Sequence, residues 1–314
     1  MSIADKHIVF GGAGGWGVST PWGTLGEITS RVLEPHGYDL WIQREAWGPN
    51  NPRYVGEGLV DFGATQLRAI QHAYNGTGIY ADVEPRKNLR VIACINHPGW
   101  IAIAVRAETG ITDLAQVKER EYPLRVLNRA PGPVQRMILS NYGLSEEAIE
   151  SWGGKFLVGD EGVAGISSQT SGWVRSGDFD LIMSYIYTSY TLEIRHWHEA
   201  TILFNMRFLE MPGELNAAVA KEIGGSVGFI PHHLYRGIEE NIPAPRRGLQ
   251  AIYGREDMPD DFVRFLAQAY DQGRDQFRQV HLPYSYDPAN VGASNDVPLH
   301  PAAEAYYRDK GYLG

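Results

Sequence analysis

A strand, a glycine-rich turn and a helix open this chain in immediate succession, and that order restricts it to the α/β classes. His7 to Phe10 (HIVF) is an apolar run of strand length. Gly11 to Gly23 reads GGAGGWGVSTPWG, and Thr24 to Leu33 sets Leu25, Ile28, Val32 and Leu33 on one side of a helix. Glycines admit positive φ and let backbone approach a ligand. A helix start presents N–H groups at the positive end of its dipole. Together they suit an anionic group. Gly14 offers the backbone approach, Ser19 and Thr20 hydroxyl donors, and Trp16, with Trp22 nearby, a flat apolar wall. A purely structural glycine turn is the alternative. A Walker loop is excluded because no Gly-Lys-Ser/Thr follows. The loose dinucleotide match at Gly12–Gly17 lacks its acidic partner, since Asp39 precedes the second apolar run instead of ending it.

Further strands are expected at Tyr38–Gln43 and Val60–Ala64, with a loop between them that carries Trp47 and Asn50. Gln66 falls just past the third strand, where open α/β sheets bind ligands. Leu89–Ile95 and Trp100–Val105 are two strands with no helix between, only Asn96-His97-Pro98-Gly99, as expected where a chain leaves one domain for another. Thr112 reads as the N-cap of a helix. Leu124–Leu127 runs into Asn128-Arg129-Ala130-Pro131-Gly132-Pro133 and a helix to Tyr142, a second strand–turn–helix unit. Its Arg129 is a planar, always charged partner for a carboxylate, or else a surface arginine. Phe179–Met183 is a strand with Tyr185 and Tyr187 beyond its end, as pocket walls or as core. His196 and His198 read as exposed loop histidines; with no third ligand nearby, no metal is expected there. A helix over 212–223, a strand at 249–253, a long helix over 259–280 and a last helix over 298–312 complete the chain.

At 314 residues, two domains or one large one can form. A net charge of -9 argues against nucleic acid as the main partner. Cys94 is the single cysteine, so neither an internal disulfide nor a cysteine-built zinc cage is available. No apolar run approaches bilayer-spanning length, so direct membrane insertion is not expected. MSIADKH runs straight into the first strand: either Met1 is native and the protein cytoplasmic, or a signal peptide was removed and a methionine added.

Four stretches resemble the TAXI-type solute-binding proteins, the extracytoplasmic receptors of one class of TRAP transporters: the opening glycine loop, Gly56 to Gln66 (GEGLVDFGATQ), Ala73 to Gly78 (AYNGTG), and Pro298-Leu299-His300-Pro301 through Tyr306-Tyr307-Arg308-Asp309-Lys310-Gly311. Val105 to Leu114 is more weakly similar. The resemblance implies a type II periplasmic-binding-protein fold, with two α/β lobes joined by crossing strands and the ligand between them. The expected lobes are 1–97 with 207–314, and 98–206. The family binds small carboxylates through loops that match Gly11–Gly23, Gln66 and Asn128–Gln135, which adds Gln135 to the candidates. Membrane TRAP subunits become the expected partners, the periplasm the expected location, and no cofactor is implied. Here the turn around Pro131 lacks the family's hydroxyl-rich residues, and Trp16, Trp22 and Trp47 stand in the loops, so a bulkier, aromatic or extended carboxylate is expected.

An enzyme on the same fold, such as a decarboxylase or lyase using His97, His232 or His233 as acid or base, and a cytoplasmic sensor are the competing readings. For the binding-protein reading, Arg129→Ala is expected to weaken carboxylate binding by well over tenfold, since truncating one partner of such a charge pair costs ~2–5 kcal/mol. An unchanged dissociation constant in a folded variant removes Arg129 from the site.

Overall fold

The computed structural model describes residues 7–11, 21–43, 50–97, 99–128, 132–158, 163–188, 194–278 and 284–314. Contacts sort the chain into two units, Met1–Pro98 with Gly248–Gly314, and Gly99–Arg247. Both units are mixed α/β, and the first is made of two chain segments.

Unit 1 begins β1 (His7–Gly11), α1 (Pro21–Leu33), β2 (Asp39–Gln43), α2 (Asn51–Gly56), β3 (Phe62–Gln66), α3 (Leu67–Asn75) and β4 (Leu89–Ile95). Unit 2 holds β5 (Gly99–Arg106), α4 (Ala115–Glu119), β6 (Arg125–Asn128), α5 (Pro133–Asn141), α6 (Glu146–Ser151), β7 (Lys155–Val158), α7 (Val163–Ser176), β8 (Leu181–Tyr187), α8 (Arg195–Leu203), β9 (Met206–Phe208), α9 (Gly213–Glu222), β10 (Ser226–Ile230) and β11 (Ile242–Arg246). The chain then returns to unit 1 as β12 (Gln250–Arg255), α10 (Asp260–Gln272) and α11 (Pro301–Asp309).

Among the described residues, the sheet of unit 1 runs β2-β1-β3-β12-β4. The pairs β1–β2 and β1–β3 are parallel, and β12 is antiparallel to both β3 and β4. One face packs Val55, Leu67, Ile70, Val91, Cys94 and Tyr253 into a core. Burial pushes the Cys94 thiol up to about 12, so it stays a protonated core group. On the other face Phe10 meets Phe62 edge-on at 5.2 Å, and Phe62 meets Phe262 of α10 at 6.3 Å. The Thr29 and Tyr270 hydroxyls, 2.7 Å apart, tie α1 to α10.

The motif residues that carry the family resemblance do structural work here. Gly76 ends α3 in the left-handed conformation at φ 63°, which glycine adopts without strain. The His300 side chain accepts from the Ala302 N–H at 3.3 Å and caps α11, with Pro301 in its first turn.

In unit 2 the strands run β10-β11-β5-β8-β6-β7, with β9 paired to β5. The core between sheet and helices includes Ile101, Ile103, Val126, Ile138, Leu181 and Met183. Arg125 on β6 grips the buried Asp180 twice, Nη2 to Oδ1 at 2.7 Å and Nε to Oδ2 at 3.0 Å. That contact raises the guanidinium pKa further.

Several expectations are corrected. Residues 207–247, expected in the first lobe, belong to unit 2, because β9 pairs with β5 and the β10–β11 hairpin extends the same sheet through Arg246 opposite Trp100. Pro243 and Pro245 disguise β11 in the sequence: proline has no N–H for a ladder and normally marks an edge. Tyr185 and Tyr187 lie inside β8, not beyond it, and His196 and His198 lie on α8, not in a loop. Thr112 does not cap a helix. α4 starts at Ala115, and the Thr112 hydroxyl accepts from Gln116 Nε2 at 3.1 Å.

Gly63 holds β1 and β3 together. A Cβ there would lie 2.5 Å from the Gly11 carbonyl oxygen and 3.0 Å from Asn51 Oδ1, itself the acceptor for the buried Tyr253 hydroxyl. Gly63→Ala is expected to cost about 3 kcal/mol through overpacking against backbone, read as a lowered urea midpoint. An unchanged midpoint would show that the strand spacing can yield.

Candidate functional site

In unit 1, β1, β2, β3 and β4 run the same way and end at Gly11, Gln43, Gln66 and Ile95, while β12 starts at Gln250 opposite Gln66 and Ile95. Every one of these residues lies at one edge of one sheet. Unit 2 repeats the arrangement. The parallel strands β6, β7 and β8 end at Asn128, Val158 and Tyr187, β5 begins at Gly99 opposite Tyr187, and β11 ends at Arg246 opposite Trp100. In open α/β sheets ligands bind in the crevice outside the carboxyl ends of the strands, where the loops leading into the helices bring backbone N–H groups and side chains together.

The most developed cluster of side chains at such an edge is in unit 2. Arg247 follows β11 and is 7% exposed. Its backbone N–H donates to the Gly99 carbonyl at 2.9 Å. Its Nη1 donates to the Tyr187 hydroxyl at 2.9 Å, and its guanidinium lies 4.6 Å from the centre of the Tyr185 ring. The two tyrosines are two apart on β8 and so share a face. A guanidinium stays charged at any physiological pH and presents a planar fork of donors that matches a carboxylate. The aromatic face supports that charge where water is scarce.

Tyr187 is itself anchored. The Tyr235 hydroxyl donates to its carbonyl at 3.5 Å, and His198 Nε2 lies 3.3 Å from the same hydroxyl. Beside them, the Trp197 indole N–H donates to Ser184 Oγ at 2.9 Å, with His196 Nε2 3.3 Å from the same oxygen.

Arg247 is absent from the residues the sequence singles out. Its signal would have been its place beside the second crossing between units, but the prolines of β11 hide that crossing. Of the residues the sequence does single out, Gly14, Trp16, Ser19, Thr20, Trp47 and Arg129 lie outside the described residues. Gln66 is half-buried as the last residue of β3. Asn50 is exposed just before α2. The Gln135 side chain accepts from the Gly132 N–H at 3.2 Å and so braces the start of α5.

Among the histidines proposed for acid–base work, His97 is buried edge-on to Tyr284 at 5.3 Å. His232 bonds Asn241 on an exposed turn, and the adjacent His233 has φ 61°. Among the described residues no three His, Cys, Asp or Glu side chains are grouped to hold a metal ion, and no helix is long and apolar enough to cross a membrane.

Residues 12–155 match the model of the NMT1-like family. Among solved structures the chain is similar to the periplasmic binding protein BugD, at 12% identity and a TM-score of 0.49, over 97% of this chain and 93% of that one. A TctC solute binding protein from Polaromonas aligns at 15% identity and a TM-score of 0.47 over 98% of each chain. The periplasmic aliphatic sulphonate binding protein SsuA from Escherichia coli aligns at 13% identity and a TM-score of 0.45, over 96% of this chain and 82% of that one.

Burial lowers the pKa of the His198 imidazole below its ordinary 6.5. The unfolded chain therefore takes up that proton first. The stability due to neutral His198 is complete above the unfolded value and is lost as pH falls through the folded one. The urea midpoint should fall between about pH 7.5 and about pH 5.5, and fall less in His198→Gln. Equal falls in both proteins would show that His198 does not titrate with folding.

Proposed function

We propose that this chain is an extracytoplasmic solute-binding protein of the TAXI type, which captures a small, bulky or aromatic organic carboxylate and delivers it to the membrane subunits of a TRAP-type transporter. The observation that carries this reading is Arg247, a buried guanidinium laid on Tyr185 and bonded to Tyr187 at the carboxyl edge of the unit 2 sheet. A chain of net charge -9 repels anions at long range. A cation withdrawn from water inside it therefore concentrates the attraction for an anion at one place. Two phenol rings beside the charge favour a ligand with an apolar, flat body next to its carboxylate, as most small-ligand sites combine apolar walls with few polar anchors.

The match of residues 12–155 to the NMT1-like family supports a solute-binding role. The TAXI assignment rests on the AYNGTG and PLHP…YYRDKG stretches. Trp16, Ser19, Thr20, Trp47, Asn50, Gln66 and Arg129 are the proposed further contacts, and a periplasmic location goes with the reading.

Isothermal titration with benzoate, phenylacetate, propionate and succinate tests it. An aromatic acid should bind tightest, and Arg247→Met should weaken it by more than about tenfold, as for other truncated, buried charge pairs. Arg247→Lys should recover only part of the loss, because it keeps the charge but not the fork. Tightest binding by propionate or succinate would refute the aromatic preference. Unchanged affinity in a folded Arg247→Met would refute the role of Arg247.

A further inference from the structure

Unit 1 contains a buried side chain that has no hydrogen-bond partner among the described residues. Gln250, the first residue of β12, is fully buried, and both its Oε1 and its Nε2 are without a partner among the described residues. The Arg68 Nε, Tyr286 hydroxyl and His300 Nε2 of the unit also lack a partner among the described residues, but Gln250 is the fully buried side chain among them in which both a donor and an acceptor do. Several others are matched. Thr29 meets Tyr270 at 2.7 Å, Tyr306 donates to Asp271 at 2.8 Å, and Asn51 accepts from Tyr253. An unpartnered buried amide is costly, because its hydration is lost with nothing in return, whereas an apolar residue of the same shape carries no such penalty.

Its position in the sheet indicates what the amide is for. Gln250 stands in register between Gln66 of β3 and Ile95 of β4. Directly opposed residues on neighbouring strands share a face, with Cβ atoms about 5 Å apart. Gln250 and Gln66 thus form a pair of amides on one face of the sheet, at the edge where β1, β2, β3 and β4 all end. An amide carries donor and acceptor side by side and no charge. It is therefore poorly matched to a carboxylate, which only accepts, and well matched to a group that both donates and accepts.

We propose that Gln250 is a specificity-determining binding residue that, with Gln66, reads a hydroxyl substituent of a small acid at the carboxyl edge of the unit 1 sheet. The solute class is accordingly a hydroxy-carboxylate. This rests on the carboxylate-binding reading above and adds to it the identity of the second polar group. A hydroxyl supplies both a donor and an acceptor, which is what the Gln250 amide lacks among the described residues. A site built to bond a hydroxyl discriminates strongly against the analogue that lacks one, because its buried polar groups are then left unpaired.

The test uses the full chain and acids that differ by one hydroxyl: benzoate against the three monohydroxybenzoates, phenylacetate against mandelate, and propionate against lactate. Titration calorimetry on the wild type should show at least one hydroxy-acid binding about tenfold or more tightly than its deoxy partner. In Gln250→Met that preference should disappear, the hydroxy acid falling to the affinity of its deoxy partner. Without ligand, Gln250→Met should melt at the same temperature as the wild type or a few degrees higher, because an unsatisfied polar group has been removed. A Gln250 that served the fold would give the opposite sign.

A preference that survives in Gln250→Met, no hydroxyl preference in the wild type, or a markedly lower melting temperature for ligand-free Gln250→Met would each overturn the assignment while leaving carboxylate binding intact. If no acid of the set bound the wild type, the carboxylate reading would fall and this one with it. Gln250→Leu repeats the comparison with a shorter apolar side chain, so the result does not hang on how one replacement packs.

Discussion

The antiparallel ladder of β12 between β3 and β4 is the contact on which unit 1 depends. The unit is made of two chain segments separated by the whole of unit 2, and β12 is the returning strand. It pairs along its length with β3, from Gln250 opposite Gln66 to Gly254 opposite Phe62, and with β4, from Gln250 opposite Ile95 to Arg255 opposite Leu89. Without it, the parallel β1–β3 pair and β4 would have no shared ladder, and the core face of Val91, Cys94 and Tyr253 would be open. Such non-local pairing forms late and closes a long loop. It also dictates where β12 must start: opposite the carboxyl ends of β3 and β4.

From that constraint follows the placement of the chemistry. In each unit the parallel strands end on the edge at which the chain enters or leaves, so residues flanking the crossings join the residues that follow strand ends. Arg247 and Gln250 are three apart in sequence and belong to different units, each at its own sheet's carboxyl edge. One is a charge eased by an aromatic face and a phenol, and the other a neutral amide. Their environments suit different groups, because a guanidinium favours an anion and an amide favours a group that both gives and takes a hydrogen bond.

The motif stretches of the sequence have a plainer role than their specificity suggests. Gly76 ends a helix, His300 and Pro301 start one, and Gly63 permits a strand contact that no Cβ would allow. Backbone conformations that only certain residues tolerate leave the sharpest marks in a sequence. Ligand contacts, which many residue types can make, leave weaker ones. Gln135 illustrates the difference: the family resemblance names it as a binding residue, and in the structure its amide oxygen accepts from the Gly132 N–H at the start of α5.

The amino-acid sequence by itself determined the local structure and the class: strand–turn–helix order, the strand pair around His97 that marks the first crossing, most helix spans, and Gln66 at a strand end. These depend on periodicity, glycine and proline, which act over a few residues. Only the tertiary structure decided which unit residues 207–247 join, because β11 is a proline-bearing strand whose identity comes from pairing with β10 and β5. It alone turned Tyr185 and Tyr187 into strand residues, set Arg247 on them, and left the Gln250 amide buried without a partner among the described residues. Burial and cross-strand register are relations between distant segments, and no local pattern of residue types encodes them.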